Sequence, residues 1–79
     1  MTFAEMKPWE DQTVVLTFAD GEVAKVKVLL ANDEYADTIV DLISTNRPDK
    51  WGATAIDSDC AYTIALLDIA AVREVSPAD

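Results

Sequence analysis

Residues 13–43 read TVVLTFADGEVAKVKVLLANDEYADTIVDLI, and this stretch decides the fold. From Thr13 to Phe18, Val14, Leu16 and Phe18 fall on one side of an extended chain, and Thr13, Val15 and Thr17 on the other. A period of two puts successive side chains on opposite faces, so this segment predicts a strand with one strongly buried face. Ala19-Asp20-Gly21-Glu22 follows. Asp-Gly between two alternating runs is a strong hairpin signal, because glycine tolerates the positive φ that tight turns require. Glu22 to Ala31 alternates again, with Lys25 and Lys27 expected outward and Val26, Val28 and Leu30 inward. Such a strand is long for a small domain and must bend or twist strongly to stay on its core, although no glycine marks the bend. Asn32-Asp33-Glu34 predicts a turn, since Asn and Asp bond to the backbone just after them. Tyr35 to Ile43 predicts a third strand, with Ile39 and Ile43 on one face and Val40 and Leu42 flanking Asp41. A helix over Asp33 to Ile43 competes, because Tyr35, Ile39 and Leu42 recur near helical spacing. The β-branched Thr38, Ile39, Val40 and Ile43 favour the strand.

Outward from this centre the signals are shorter. Residues 2–8 predict a brief helix, capped by Thr2 with Glu5 completing a capping box and ended by Pro8. Its expected role is a lid over one end of the core, with Trp9 as the plug. Residues 45–59 predict a long polar loop, a length at which connections are often functional. Cys60 to Leu66 predicts a fourth strand with Tyr62, Ile64 and Leu66 on one face. Leu67-Asp68-Ile69-Ala70 reads as one tight helical turn and Ala71 to Val75 as a fifth strand. A helix over Ala65 to Val75 competes there, and residues 76–79 read as a tail. The fold class expected is mainly β: one domain over residues 1–79, a small, strongly bent five-stranded barrel with a short N-terminal helix.

Bulk composition narrows the function. With 79 residues, a single small core is the sensible expectation. Fifteen acidic against six basic side chains give a net charge of −9. Such a surface repels phosphate backbones and anionic membranes, so nucleic acid is an unlikely partner and no membrane partner is expected. No stretch approaches the roughly 20 apolar residues of a membrane span, and the first residues carry no apolar run of a secretory leader. Cys60 is the single cysteine; a lone thiol fits a reducing compartment, and a cytoplasmic location is expected. Without histidine there is no ordinary general base near neutral pH, and Cys60 lacks a catalytic partner. No enzymatic activity and no cofactor are expected.

The pattern from Thr13 to Val40 resembles the first signature motif of the Sm and Sm-like proteins. The residues that carry the likeness are Val14, Leu16, Asp20-Gly21, Val28, Leu30 and Asp33, with Tyr35-Ala36-Asp37-Thr38-Ile39-Val40 following in register. The resemblance implies a bent five-stranded barrel. It also implies self-assembly, in which the fourth strand of one copy pairs with the fifth of the next. Tyr62, Ile64, Val72 and Val75 would then lie along the oligomer edge. The family's RNA-binding positions depart from its pattern here. Asp37 stands where the family has an RNA-contacting Asn. The family's strand-two glycine falls near Lys27, and the Ile-Arg-Gly segment corresponds to Ile64-Ala65-Leu66 or its neighbours, without the Arg or the Gly.

Two clusters remain as candidate sites. Arg47, Lys50 and Trp51 bring two cations and an aromatic ring into one loop. They form a possible interaction surface, unless Trp51 folds back onto the core. Asp57 and Asp59, and Asp33, Glu34 and Asp37, are carboxylate groupings that could take a hard cation; no metal is expected there, since their spacing matches no calcium loop. The function expected is therefore that of a non-catalytic Sm-like module, a homo-oligomer or a partner of another protein. A divergent nucleic-acid-binding barrel using Arg47, Lys50 and Trp51 is one alternative. A small cation-binding or enzymatic domain using loop carboxylates is another.

Overall fold

The computed structural model describes residues 1–51 and 61–77. Most of the long loop, with Asp57, Asp59 and Cys60, lies outside the described residues, as does the end of the tail.

Helix α1 (Phe3–Met6) opens the chain and runs into a 3-10 turn over Lys7–Trp9. The capping box forms as expected: Glu5 N donates to Thr2 Oγ1 at 3.2 Å, and Thr2 N donates to Glu5 Oε1 at 3.0 Å. The plug is Met6, with no exposed surface, rather than Trp9, which is half-buried at the side of the core. The last α-helical bond runs from Lys7 N to the Phe3 carbonyl, and Pro8, which has no N–H to donate, follows in the 3-10 turn that carries Trp9.

Strands β1 (Thr13–Phe18), β2 (Val23–Asn32), β3 (Asp37–Thr45), β4 (Tyr62–Ala65) and β5 (Ile69–Glu74) form one antiparallel sheet in the order β4-β3-β2-β1-β5. Neither segment with a competing helical reading is an α-helix: Asp33 to Ala36 form a turn that leads into β3, and the 3-10 turn Leu66–Asp68 leads into β5. The Asp20-Gly21 turn forms between β1 and β2, with Gly21 at φ +94° and Glu22 N donating to Asp20 Oδ1 at 3.0 Å. The expected barrel is not closed. β4 and β5 are the two edges, and they do not pair with each other. They are nonetheless joined by a single 3-10 turn, Leu66–Asp68. So short a connection between opposite edges requires a sheet curled until its edges approach.

The curl is made without glycine. The β2–β3 pairing skips Leu29 on β2, where Val28 faces Val40 and Leu30 faces Ile39. It skips Ile43 on β3, where Lys25 faces Ser44 and Val26 faces Leu42. The β1–β5 pairing skips Ala70, as Thr17 faces Ala71 and Phe18 faces Ile69. Each extra residue is a bulge, which bends its strand and increases local twist. The Leu29 bulge also corrects the inward expectation for Leu30. Past the bulge the phase inverts, so Leu30 is 45% exposed and Ala31 is buried.

The core collects Val14, Leu16 and Phe18 from β1, Ala24, Val26, Val28 and Ala31 from β2, Val40 from β3, and Ile64, Leu66 and Ile69 beyond. Each fully buried aliphatic side chain of this kind contributes about 1.5–3 kcal/mol relative to exposure. Thr38 is buried among them and satisfies its hydroxyl on the Leu30 carbonyl at 2.7 Å. At the α1 end, Glu10 Oε2 accepts from Ala31 N at 2.8 Å, and Asp11 N and the Val28 carbonyl bond at 2.7 Å. The N-terminal segment is thereby fastened to the far half of β2.

Candidate functional site

The β1–β2 turn sets a charge into the core. Counting back by twos from Val28 through Val26 and Ala24 arrives at Glu22, so the alternation that builds the core places this carboxylate on the inner face. Glu22 is 1% exposed. Burying an isolated carboxylate is costly, and its neighbours answer that cost. Lys50 Nζ lies 2.5 Å from Glu22 Oε1. Trp51 Nε1 donates to Glu22 Oε2 at 2.7 Å, and Thr45 Oγ1 donates to the same oxygen.

Lys50 and Trp51 reach Glu22 from the 3-10 turn Pro48–Lys50. This turn is closed by bonds from Lys50 N to the Arg47 carbonyl and from Trp51 N to the Pro48 carbonyl, at 3.0 and 3.1 Å. Pro48 supplies a fixed φ at its first position. Asn46 anchors the approach to the turn, its side-chain oxygen accepting from Val23 N at 3.0 Å. The Lys50 ammonium also meets Asp20 Oδ2 at 2.9 Å and sits 4.8 Å from the centre of the Phe18 ring. Trp51 packs edge to face on Tyr62 and on Phe18, with ring centres 5.0 and 6.2 Å apart.

The electrostatics follow from these contacts. Burial pushes the Glu22 carboxyl up, but bonds from Lys50, Thr45 and Trp51 outweigh it and hold the group below the ordinary value of 4.5. Asp20 is also lowered, first by Lys50 and then by the Glu22 amide. Lys50 is raised by its two carboxylate partners. A cavity of about 480 Å³ opens beside the cluster, against Phe18, Tyr62 and Asp68 among others.

Of the three residues expected to form an interaction surface, the structure brings Lys50 and Trp51 together on Glu22. Arg47 stays outside, exposed and 3.7 Å from Asp49. By sequence Glu22 falls at the end of the hairpin turn and the start of the second strand, but not at a site; its phase with Ala24, Val26 and Val28 is the signal that marks it. Of the expected edge residues, Tyr62 and Ile64 lie in β4 and Val72 in β5, with side chains packed toward the core. Val75 falls just past the end of β5. Exposed along the two edges instead are Thr63, Ala65, Ala70, Ala71, Arg73 and Glu74. Asp37 opens β3 opposite Ala65. Among the described residues, no three His, Cys, Asp or Glu side chains gather closely enough to hold a metal ion. Nor, among them, is any helix long and apolar enough to cross a membrane.

Comparison of the chain with protein-family models, with curated proteins and with solved structures returned no match.

Proposed function

We propose that this chain is a non-catalytic, Sm-like module that associates with copies of itself through its two edge strands. The observation that carries this reading is the pair of sheet edges, β4 and β5, joined only by Leu66–Asp68. An edge strand presents a row of backbone N–H and C=O groups that pair readily with another chain unless blocked. Short side chains, Ala70 and Ala71, stand on β5, and Leu67 at the junction is 85% exposed. The chain's own N-terminal amine donates to the Leu66 and Ile69 carbonyls at 3.2 and 3.3 Å, and a groove of about 430 Å³ separates Ala70, Ala71 and Val72 from Met1, Glu5 and Trp9, so the stretch of β5 beyond Ile69 is the part offered to a neighbour. Each copy carries one β4 edge and one β5 edge. Pairing β4 of one copy with β5 of the next is head-to-tail, and such contacts continue until a ring closes.

The nucleic-acid alternative has less support, because Lys50 is held by Asp20 and Glu22 and the Trp51 indole is bonded inward. Sedimentation equilibrium of the wild type and of the double variant Thr63→Lys, Ala71→Lys tests the proposal. Lysine on exposed edge positions opposes strand addition. The wild type is expected to exceed the monomer mass at micromolar concentration, and the variant to remain monomeric with an unchanged circular dichroism spectrum. A wild type that is monomeric at every concentration overturns the proposal.

A further inference from the structure

The cavity beside Glu22 is unlike an ordinary packing gap. Three aromatic rings, Phe18, Trp51 and Tyr62, stand in its walls, and its volume of about 480 Å³ falls in the range of small-molecule sites. Among the described residues that line it, Asp20, Glu22 and Asp68 are acidic and Lys50 alone is basic. Arg47 acts on Asp20 only through its field and lies toward Asp49, 3.7 Å away. The charge at the cavity is therefore negative even with Lys50 in place. Apolar walls concentrate such a field, and the faces of aromatic rings are themselves negative.

Lys50 shows how this corner of the molecule receives an ammonium. Its Nζ has carboxylate oxygens at 2.5 and 2.9 Å and an aromatic ring at 4.8 Å. Carboxylate plus ring faces is the chemistry that recognises alkylated ammonium groups. A bare metal ion is served less well, because it needs several oxygen or nitrogen ligands at once and the rings supply none. Asp68 is exposed, and its backbone is held over the end of β1 by a bond from Ala19 N to its carbonyl at 2.8 Å. The cavity thus has a charged rim on a fixed backbone.

We propose that this cavity binds a small organic ammonium ion, a primary or methylated amine on a short alkyl arm. The charged head meets Asp20 and Asp68, and the methylenes lie against Trp51 and Tyr62. This site is independent of the edge strands, so it stands whether or not the chain self-associates.

Titration of a Trp9→Phe variant, in which Trp51 is the remaining indole, tests the proposal by fluorescence. The probes are choline, its neutral carbon isostere with a tert-butyl group in place of trimethylammonium, and Nα-acetyl-lysine methylamide. Choline is expected to change the Trp51 emission saturably and to bind about tenfold tighter than the isostere. Asp68→Asn should weaken choline by roughly threefold and leave the isostere unaffected. Tighter binding of the lysine derivative than of choline assigns the ammonium to a peptide side chain, and the reverse order assigns it to a free amine. Equal binding of choline and isostere overturns the proposal. So does the absence of a saturable change, or an identical change with magnesium chloride at matched ionic strength.

Discussion

Glu22 combines two properties that seldom coincide. It has almost no exposed surface, yet its carboxyl titrates below the ordinary value, because Lys50, Thr45 and Trp51 together outweigh the cost of burial. The sign of its pH dependence follows. A carboxylate whose pKa is lower folded than unfolded adds stability above the unfolded value, near 4.5, and loses it as pH falls through the folded value. Glu10 and Asp20 are lowered as well, so the acid limb of the wild type carries several groups of the same sign. Glu22→Gln isolates one of them. The amide keeps an acceptor for the indole and the hydroxyl but loses the ion pair with Lys50. At pH ~7 the variant should be less stable by about 1.5–3 kcal/mol, the range for a hydrogen bond to a charged group. As pH falls toward ~3 that difference should shrink, because protonated Glu22 resembles the amide. Urea unfolding of both proteins across this range measures it. A difference that stays constant over the whole range would place the titration elsewhere.

At the scale of elements, local signals found the hairpin and the strand type, and pairing decided the rest. The Asp20-Gly21 turn and the alternation of β1 are properties of adjacent residues, so they are visible in the sequence. The β-branched run of β3 also prevailed over its helical spacing. The bulge at Leu29 is different. It exists because β2 is bonded on one side to β3, and a one-residue slip in that pairing leaves no local mark in a run of Val28, Leu29, Leu30 and Ala31. The same limit hid the site: Glu22 was in phase with the core, but its partners Lys50 and Trp51 lie far along the chain and arrive only with the 3-10 turn. The bulge makes a prediction that strict alternation reverses. Leu30→Ser should change stability by less than about 1 kcal/mol, because its side chain already faces solvent. Ala31→Leu should cost about 1–3 kcal/mol by overfilling the core. Thermal or chemical melts of the two variants decide it, and a costly Leu30→Ser beside a silent Ala31→Leu would remove the bulge.

For the whole molecule, the curled sheet and the net charge of −9 pull against each other in any self-association. Barrel closure was not legible in the sequence, since whether β4 meets β5 depends on the total bend that three bulges accumulate. The open edges that result favour strand pairing between copies, but those copies repel. The molecule measures 30 × 27 × 24 Å, so charges on adjoining copies lie within one to a few screening lengths at low salt. That length is about 30 Å at about 0.01 M ionic strength and about 3 Å at about 1 M. Backbone pairing and apolar contact between edges do not weaken on screening, whereas the repulsion does. Association through β4 and β5 should therefore strengthen as salt is raised. Binding to a nucleic acid has the opposite sign, because salt competes with the release of counterions from phosphates. Sedimentation at one protein concentration, in about 0.02 M and about 0.5 M sodium chloride, should show the weight-average mass rising with salt. A mass that falls with salt would mean that complementary charges, not strand edges, hold the copies together.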